Sequence, residues 1–172
     1  MDKAYCLLED QLVGEILNAV LDVTPNRFEE VVLDVLGAMG YGGAFEDSFQ
    51  VTHCSHDEGI DGIIKEDKLG LSKVYVQAKR WKLGITVGSK DLNQFVGAIT
   101  GKKATKGVFI TTSKFTKNVG NIVLVDGDAL ARLMIEFNAG ISTRRRFDIK
   151  REDYGYQRTI GGIKSYKKNI SL

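Results

Sequence analysis

At 172 residues, with 43% hydrophobic and 9% aromatic side chains, the chain is long enough to fill one core and too short for two comfortable ones. No apolar run approaches the ~18 residues needed to cross a bilayer, and the acidic start MDKAYCLLED lacks the basic and apolar regions of a secretion signal. The formal charge of +2 is a balance of unlike segments: residues 1–64 carry 2 basic and 13 acidic side chains, residues 65–117 carry 12 and 3, residues 118–140 carry 1 and 3, and residues 141–172 carry 9 and 3. A soluble, cytoplasmic protein with no membrane partner is expected. The two cysteines, Cys6 and Cys54, lie too far apart to make a disulfide framework and are read as plain thiols. The basic middle segment has the charge density that neutralises a phosphate backbone, or it is a solvated lysine face balancing the acidic first third.

Residues 4–22 place Leu8, Leu12, Ile16 and Val20 in one row and Val13, Leu17 and Leu21 in the next, which predicts an amphipathic helix. Thr24 followed by Pro25 supplies a cap and a first helical residue, and the next helix should run to Met39 with Gly40 as its stop. Its buried arc is Phe28, Val31, Val32, Val35, Leu36 and Met39. Stepping about 100° per residue sets Glu29 on the rim of that arc and Glu30 on the solvent side. Glu29 is either a boundary residue whose stem covers apolar surface or a functional carboxylate. A strand is predicted over roughly 48–54. His53, Cys54 and His56 lie close together, but a structural zinc site draws on two separated ligand pairs and no second pair exists, so zinc is not expected.

Residues 59–80, GIDGIIKEDKLGLSKVYVQAKR, read as two short strands joined by a polar turn. A hairpin symmetric about Gly70 sets Asp61 opposite Lys79 and Ile63 opposite Gln77. With side chains alternating faces, Asp61, Ile63, Gln77 and Lys79 share one face while Val74, Val76 and Ala78 fill a core on the other. In isolation the acidic and basic residues make a cross-strand ion pair, contributing about 0.2–1 kcal/mol. Residues 81–88 read as a loop. Ser89 then caps a helix with Leu92, Phe95, Val96 and Ile99 inward, ending at Gly101. Residues 107–112 and 121–125 are short buried strands, the second closed by Asp126 and Gly127, and residues 128–138 form a helix with Leu130, Leu133, Met134 and Phe137 inward.

The join between those last two strands is awkward. Parallel neighbours need a crossover of a dozen or more residues, and residues 113–120 supply only eight. Either the strands are not parallel neighbours or a helix that belongs after Thr116 and Lys117 is absent from the chain; the second is expected. Residues 141–172 form a basic extension with little periodicity and an arginine triplet, Arg144, Arg145 and Arg146, an arm on a partner or on nucleic acid, or disordered.

The order of elements, with Asp61, fifteen intervening residues, then Gln77-x-Lys79, resembles the PD-(D/E)xK nuclease superfamily: an α/β fold with a restriction-endonuclease-like αβββαβ core, its mixed central sheet flanked by helices. Five blocks in order, TPNRFEEVVLDVLGAMGYGG, DEGIDGII, KVYVQAKRW, GVFITTSKFT and NIVLVDGDALARLMIE, are similar to the catalytic domain of the Mrr restriction endonuclease family over residues 24–140, with residues 1–23 as a leading helix.

That resemblance implies a Mg²⁺-dependent endodeoxyribonuclease of the type that restricts methylated foreign DNA. Asp61 would be the anionic metal ligand, Gln77 a second ligand through its amide oxygen, Lys79 the group that orients water or neutralises the phosphate, and Glu29 a member of the metal's outer shell. Gln77 replaces the superfamily's usual carboxylate, as it does in the Mrr branch, and this predicts weak metal affinity. Asp57 matches an earlier acidic position of the family, and HDEGID stands where many members have GDGGID, adding Glu58. Arg80, Lys82, Lys102, Lys103 and Lys114 would contact the backbone of double-stranded DNA. A homo-oligomer, dimer or tetramer, is expected. The family usually carries a helix between its last two core strands and a separate N-terminal recognition module. Two other functions compete: a DNA-binding module that keeps the nuclease fold without useful catalysis, and a small metal-binding or scaffold protein whose basic tail recruits a partner.

Overall fold

Helix α1 spans Lys3–Asp22 and helix α2 spans Pro25–Ala38. Between them Thr24 caps α2 as expected, its hydroxyl accepting from the Arg27 N–H, and Pro25 takes the first helical position, where a missing N–H costs nothing. The chain leaves α2 through Met39 and then Gly40, whose φ of +94° a residue with a Cβ rarely adopts. The computed structural model describes residues 3–43, 47–52, 59–104, 106–116 and 122–142, all within one unit, Met1–Ser142. Outside them lie His53, Cys54 and His56, Asp57 and Glu58, residues 117–121, and the basic extension from Thr143, with Arg144, Arg145 and Arg146.

The remaining elements are β1 (Phe49–Val51), β2 (Gly62–Lys65), β3 (Lys73–Lys79), β4 (Thr86–Val87), α3 (Ser89–Gly101), β5 (Gly107–Thr111), β6 (Lys114–Phe115), β7 (Val123–Val125) and α4 (Gly127–Glu136). Five strands form one sheet in the order β1-β2-β3-β5-β7; β1, β2 and β3 run antiparallel, and β3, β5 and β7 run parallel. β5 is buried along its whole length, as a central parallel strand covered on both faces must be. On one face α1, α2 and α4 pack over Ile64, Val74, Val76, Ala78, Val108 and Ile110. On the other, α3 packs Leu92, Phe95 and Ile99 against Tyr75 and Phe109.

Several expectations need correction. The hairpin is not symmetric about Gly70: Ile63 pairs with Tyr75 and Lys65 with Lys73, a register centred on Leu69. The cause is Asp67, whose carboxylate accepts N–H groups from Leu69, Leu71 and Ser72 and so sets the turn's centre. The shift from the expected pairing is two residues, so faces are preserved and Val74, Val76 and Ala78 still point into the larger core. Gly88, not Ser89, is the N-cap of α3, with no side-chain bond. Asp126 follows the end of β7 as expected, and its carboxylate in addition caps α4 through the Ala129 N–H. Of the first helix, Leu8 and Leu12 are exposed, and only its lower rows, with Val13, Ile16 and Val20, are buried. Leu33 joins the buried arc of α2 in place of Val31 and Met39, which are half-buried. Phe137 falls at the C-cap of α4 and is half-buried.

β5 and β7 are parallel neighbours, Phe109 pairing with Leu124. Their link contains no crossover helix among its described residues; its first part instead forms β6, which pairs with β4 in a second two-stranded sheet. Neither β4 nor β6 was expected, because two-residue strands leave no periodic trace.

Candidate active site

The hairpin delivers the site's residues to one end of the sheet. Asp61 lies just ahead of β2; its N–H donates to the Val76 carbonyl and its own carbonyl accepts from Thr52 N–H. It therefore sits beside Val76 and Ala78 and not opposite Lys79. Its Oδ2 accepts the Ala78 N–H at 2.7 Å, so the carboxylate is held by the backbone of the strand that carries Gln77 and Lys79. Burial pushes the Asp61 carboxyl above the usual carboxylate range, opposed by the Ala78 N–H and the positive charge of Lys79.

Gln77 is 5% exposed, and its Oε1 has no hydrogen-bond partner among the described residues. A buried amide oxygen left bare costs about 1–3 kcal/mol. Gly59 lies against the other end of the same amide: a Cβ there would stand 2.7 Å from Gln77 Nε2, and its φ of +89° suits only glycine.

Lys79 ends β3. Its Nζ donates to Asp91 Oδ1 at 2.8 Å and lies 5.8 Å from the centroid of the Trp81 ring. Trp81 is itself fixed, since the Thr112 hydroxyl accepts from its N–H and donates to its carbonyl. Asp91 is the residue that reading the sequence missed. It stands in the first turn of α3, twelve residues after Lys79, and an isolated acidic residue near a helix start ordinarily signals only the helix dipole.

Glu29 is half-buried on α2 and is not a free carboxylate. Among the described residues no group of three or more His, Cys, Asp and Glu could hold a metal ion. Asp61 and Gln77 lie on the same hairpin. The pair offers a carboxylate and an unpartnered amide oxygen, both hard donors of the kind Mg²⁺ takes.

The expected backbone-binding cations divide. Arg80 is engaged inside the fold: its Nη1 donates to the Leu21 carbonyl at 2.6 Å, near the C-terminal end of α1, and its Nε is buried with no partner among the described residues. Lys82, in the loop after β3, and Lys114, paired with Thr86, are exposed at the same end as Lys79. Lys102 and Lys103 are exposed beyond the far end of α3, about 20 Å away along a 13-residue helix. A cavity of about 840 Å³ also lies at that far end, lined by Val74, Ile99, Lys106, Gly107 and Val123 among others, and contains none of the site residues.

Comparison with known proteins identifies the family and the fold. Residues 20–134 match the Mrr_cat family profile, described as a restriction endonuclease. Over 151 residues the chain is 50% identical to the type IV methyl-directed restriction enzyme EcoKMrr of Escherichia coli strain K12, covering 84% of this chain and 49% of that protein. The chain thus spans about half the length of that relative. Among solved structures, the DNA modification-dependent restriction endonuclease AspBHI superposes with a TM-score of 0.55 at 20% identity, over 77% of this chain and 36% of that one. The MspJI restriction endonuclease in complex with a 27-mer oligonucleotide gives 0.53 at 20% identity, over 76% and 32%. At that identity the superpositions speak for the fold, a restriction-endonuclease-like mixed sheet flanked by helices. The chain belongs to the Mrr_cat family of restriction endonucleases.

Proposed function

We propose that this chain is the catalytic part of a Mg²⁺-dependent endonuclease that hydrolyses phosphodiester bonds in double-stranded DNA, directed at methylated foreign DNA. The observation that carries the reading is the bare Oε1 of buried Gln77, on the same hairpin as Asp61 and Lys79. A buried polar atom without a partner is tolerated where a ligand satisfies it. Asp61 and Gln77 hold the cation, and Glu29 belongs to its outer surroundings. Mg²⁺ bound there supplies charge neutralisation at the phosphate and makes water more acidic. Lys79, which already donates one N–H to Asp91, brings its remaining N–H donors to the reacting phosphate or to the attacking water. Lys82 and Lys114 flank that end of the sheet and suit phosphate contacts, which fix position without reading sequence. The methyl-directed substrate is suggested by the name of the 50%-identical relative. Two such sites would cut both strands at one place in a single binding event, and a dimer or tetramer belongs to the same proposal.

Supercoiled methylated plasmid with Mg²⁺ tests it. The wild type is expected to nick and linearise the plasmid, and Asp61→Ala and Lys79→Ala to lose at least a hundredfold in rate. An Asp61→Ala protein that cuts at the wild-type rate would remove the reading. A wild type that binds the plasmid and never cuts it would leave the DNA-binding module.

A further inference from the structure

Lysine has a flexible four-carbon stem, and an ammonium at a strand end has many places to go. In this fold it has one. Lys79 Nζ is held at 2.8 Å by Asp91, with the two side chains only 29% and 21% exposed, and the Trp81 ring lies 5.8 Å to one side. Both supports are rigid. Asp91 stands on the first turn of α3, which is anchored by the fully buried Leu92 and Phe95, and Trp81 is clamped at both backbone groups by Thr112. The Asp61 carboxyl also feels the positive charge of Lys79. The ammonium is thus bonded to a carboxylate outside the proposed metal site while acting electrostatically on one that belongs to it.

We propose that Asp91 is a positioning residue: its carboxylate fixes the Lys79 ammonium beside Trp81, at the end of β3 where the phosphate and the attacking water have to be. This rests on the nuclease reading above. A lysine released from Asp91 would swing toward solvent or collapse onto Asp61, and either movement takes the donor away from the reacting atoms. Placement errors of about 1 Å are enough to cost about a hundredfold in rate. The simpler role for an acidic residue in a first helical turn is to complement the helix dipole; that role would touch stability and leave Lys79 where it is.

Trp81 is the chain's single tryptophan, so its fluorescence reports the lysine without metal or DNA. In EDTA, Lys79→Ala removes a positive charge from beside the indole and shifts its emission. Asp91→Asn is expected to shift emission in the same direction, with no further shift in the Asp91→Asn, Lys79→Ala double variant. In the plasmid assay Asp91→Asn is expected to lower kcat about tenfold to a hundredfold at unchanged KM, Asp91→Glu to recover part of the loss, and Asp91→Asn to add nothing in the Lys79→Ala background. Emission of Asp91→Asn identical to wild type while Lys79→Ala differs would overturn the proposal. So would an equal loss of rate from Asp91→Asn with and without Lys79. Should the wild type fail to cut at all, the nuclease reading falls by that result, while the EDTA emission still decides whether Asp91 holds the lysine. Circular dichroism of each variant separates these outcomes from failure to fold, and Asp91→Ser provides a second neutral replacement suited to a helix start.

Discussion

Asp61 carries a conflict between folding and binding. Its carboxyl is raised by burial, only partly offset by the Ala78 N–H and Lys79. A raised carboxyl in the folded state favours the protonated form. Its contribution to stability is therefore complete below the ordinary carboxylate range and is lost as pH rises through the raised value. Wherever it is ionised without a bound metal, Asp61 burdens the fold. Asp61→Asn keeps an acceptor for the Ala78 N–H and drops the charge, so its Tm in EDTA is expected to exceed that of the wild type. On the proposed metal site, added Mg²⁺ should raise the wild-type Tm and leave the variant's unchanged, and only modestly for the wild type, since a neutral Gln77 would make a weak partner for the cation. Thermal melts with and without Mg²⁺ check both statements; a lower Tm for Asp61→Asn in EDTA would contradict the first.

At the scale of elements, the sequence was most legible where periodicity and capping agreed. Thr24, Pro25 and Gly40 marked α2 to within a residue, and β5 declared itself as an uninterrupted buried run. The hairpin's faces were legible and its register was not, because alternation of period two looks the same after a slip of two residues; the side chain of Asp67, which chose the register, has no periodic signature. Asp91 was illegible for a similar reason. What makes it matter is a contact between a helix start and a strand end, which no spacing rule encodes. The two-residue strands β4 and β6 were invisible, yet they carry the chain past the site end. Of the site itself, Asp61, Gln77 and Lys79 arrived through their resemblance to a known pattern more than through their chemistry alone. Packing of the α3 layer is concentrated in one residue: Phe109 is fully buried and meets Phe95 and Phe115 edge-on, at 5.6 and 5.7 Å between ring centroids. Phe109→Ala is expected to cost about 3–5 kcal/mol in urea unfolding, with the far face of the sheet, built on Val108 and Ile110, left in place.

For the molecule as a whole, charge is arranged by end as well as by segment. Lys82 and Lys114 are exposed beside the site, while Lys102 and Lys103 lie a helix length away. Lys82→Ala and Lys114→Ala are each expected to lower DNA affinity and reduce the slope of log K against log salt by about one, more than Lys102→Ala or Lys103→Ala does; equal effects from all four would mean that DNA runs the length of α3. The residues proposed for chemistry, by contrast, come almost entirely from one run of the chain. Asp61 meets Ala78 across seventeen positions and Lys79 meets Asp91 across twelve, whereas β3 finds β5 by joining Tyr75 to Gly107. Closing short loops costs less entropy than closing long ones, and contacts local in sequence form fastest. In folding terms the end that carries the proposed site is closed by contacts local in sequence, which are expected to form before β3 pairs with β5.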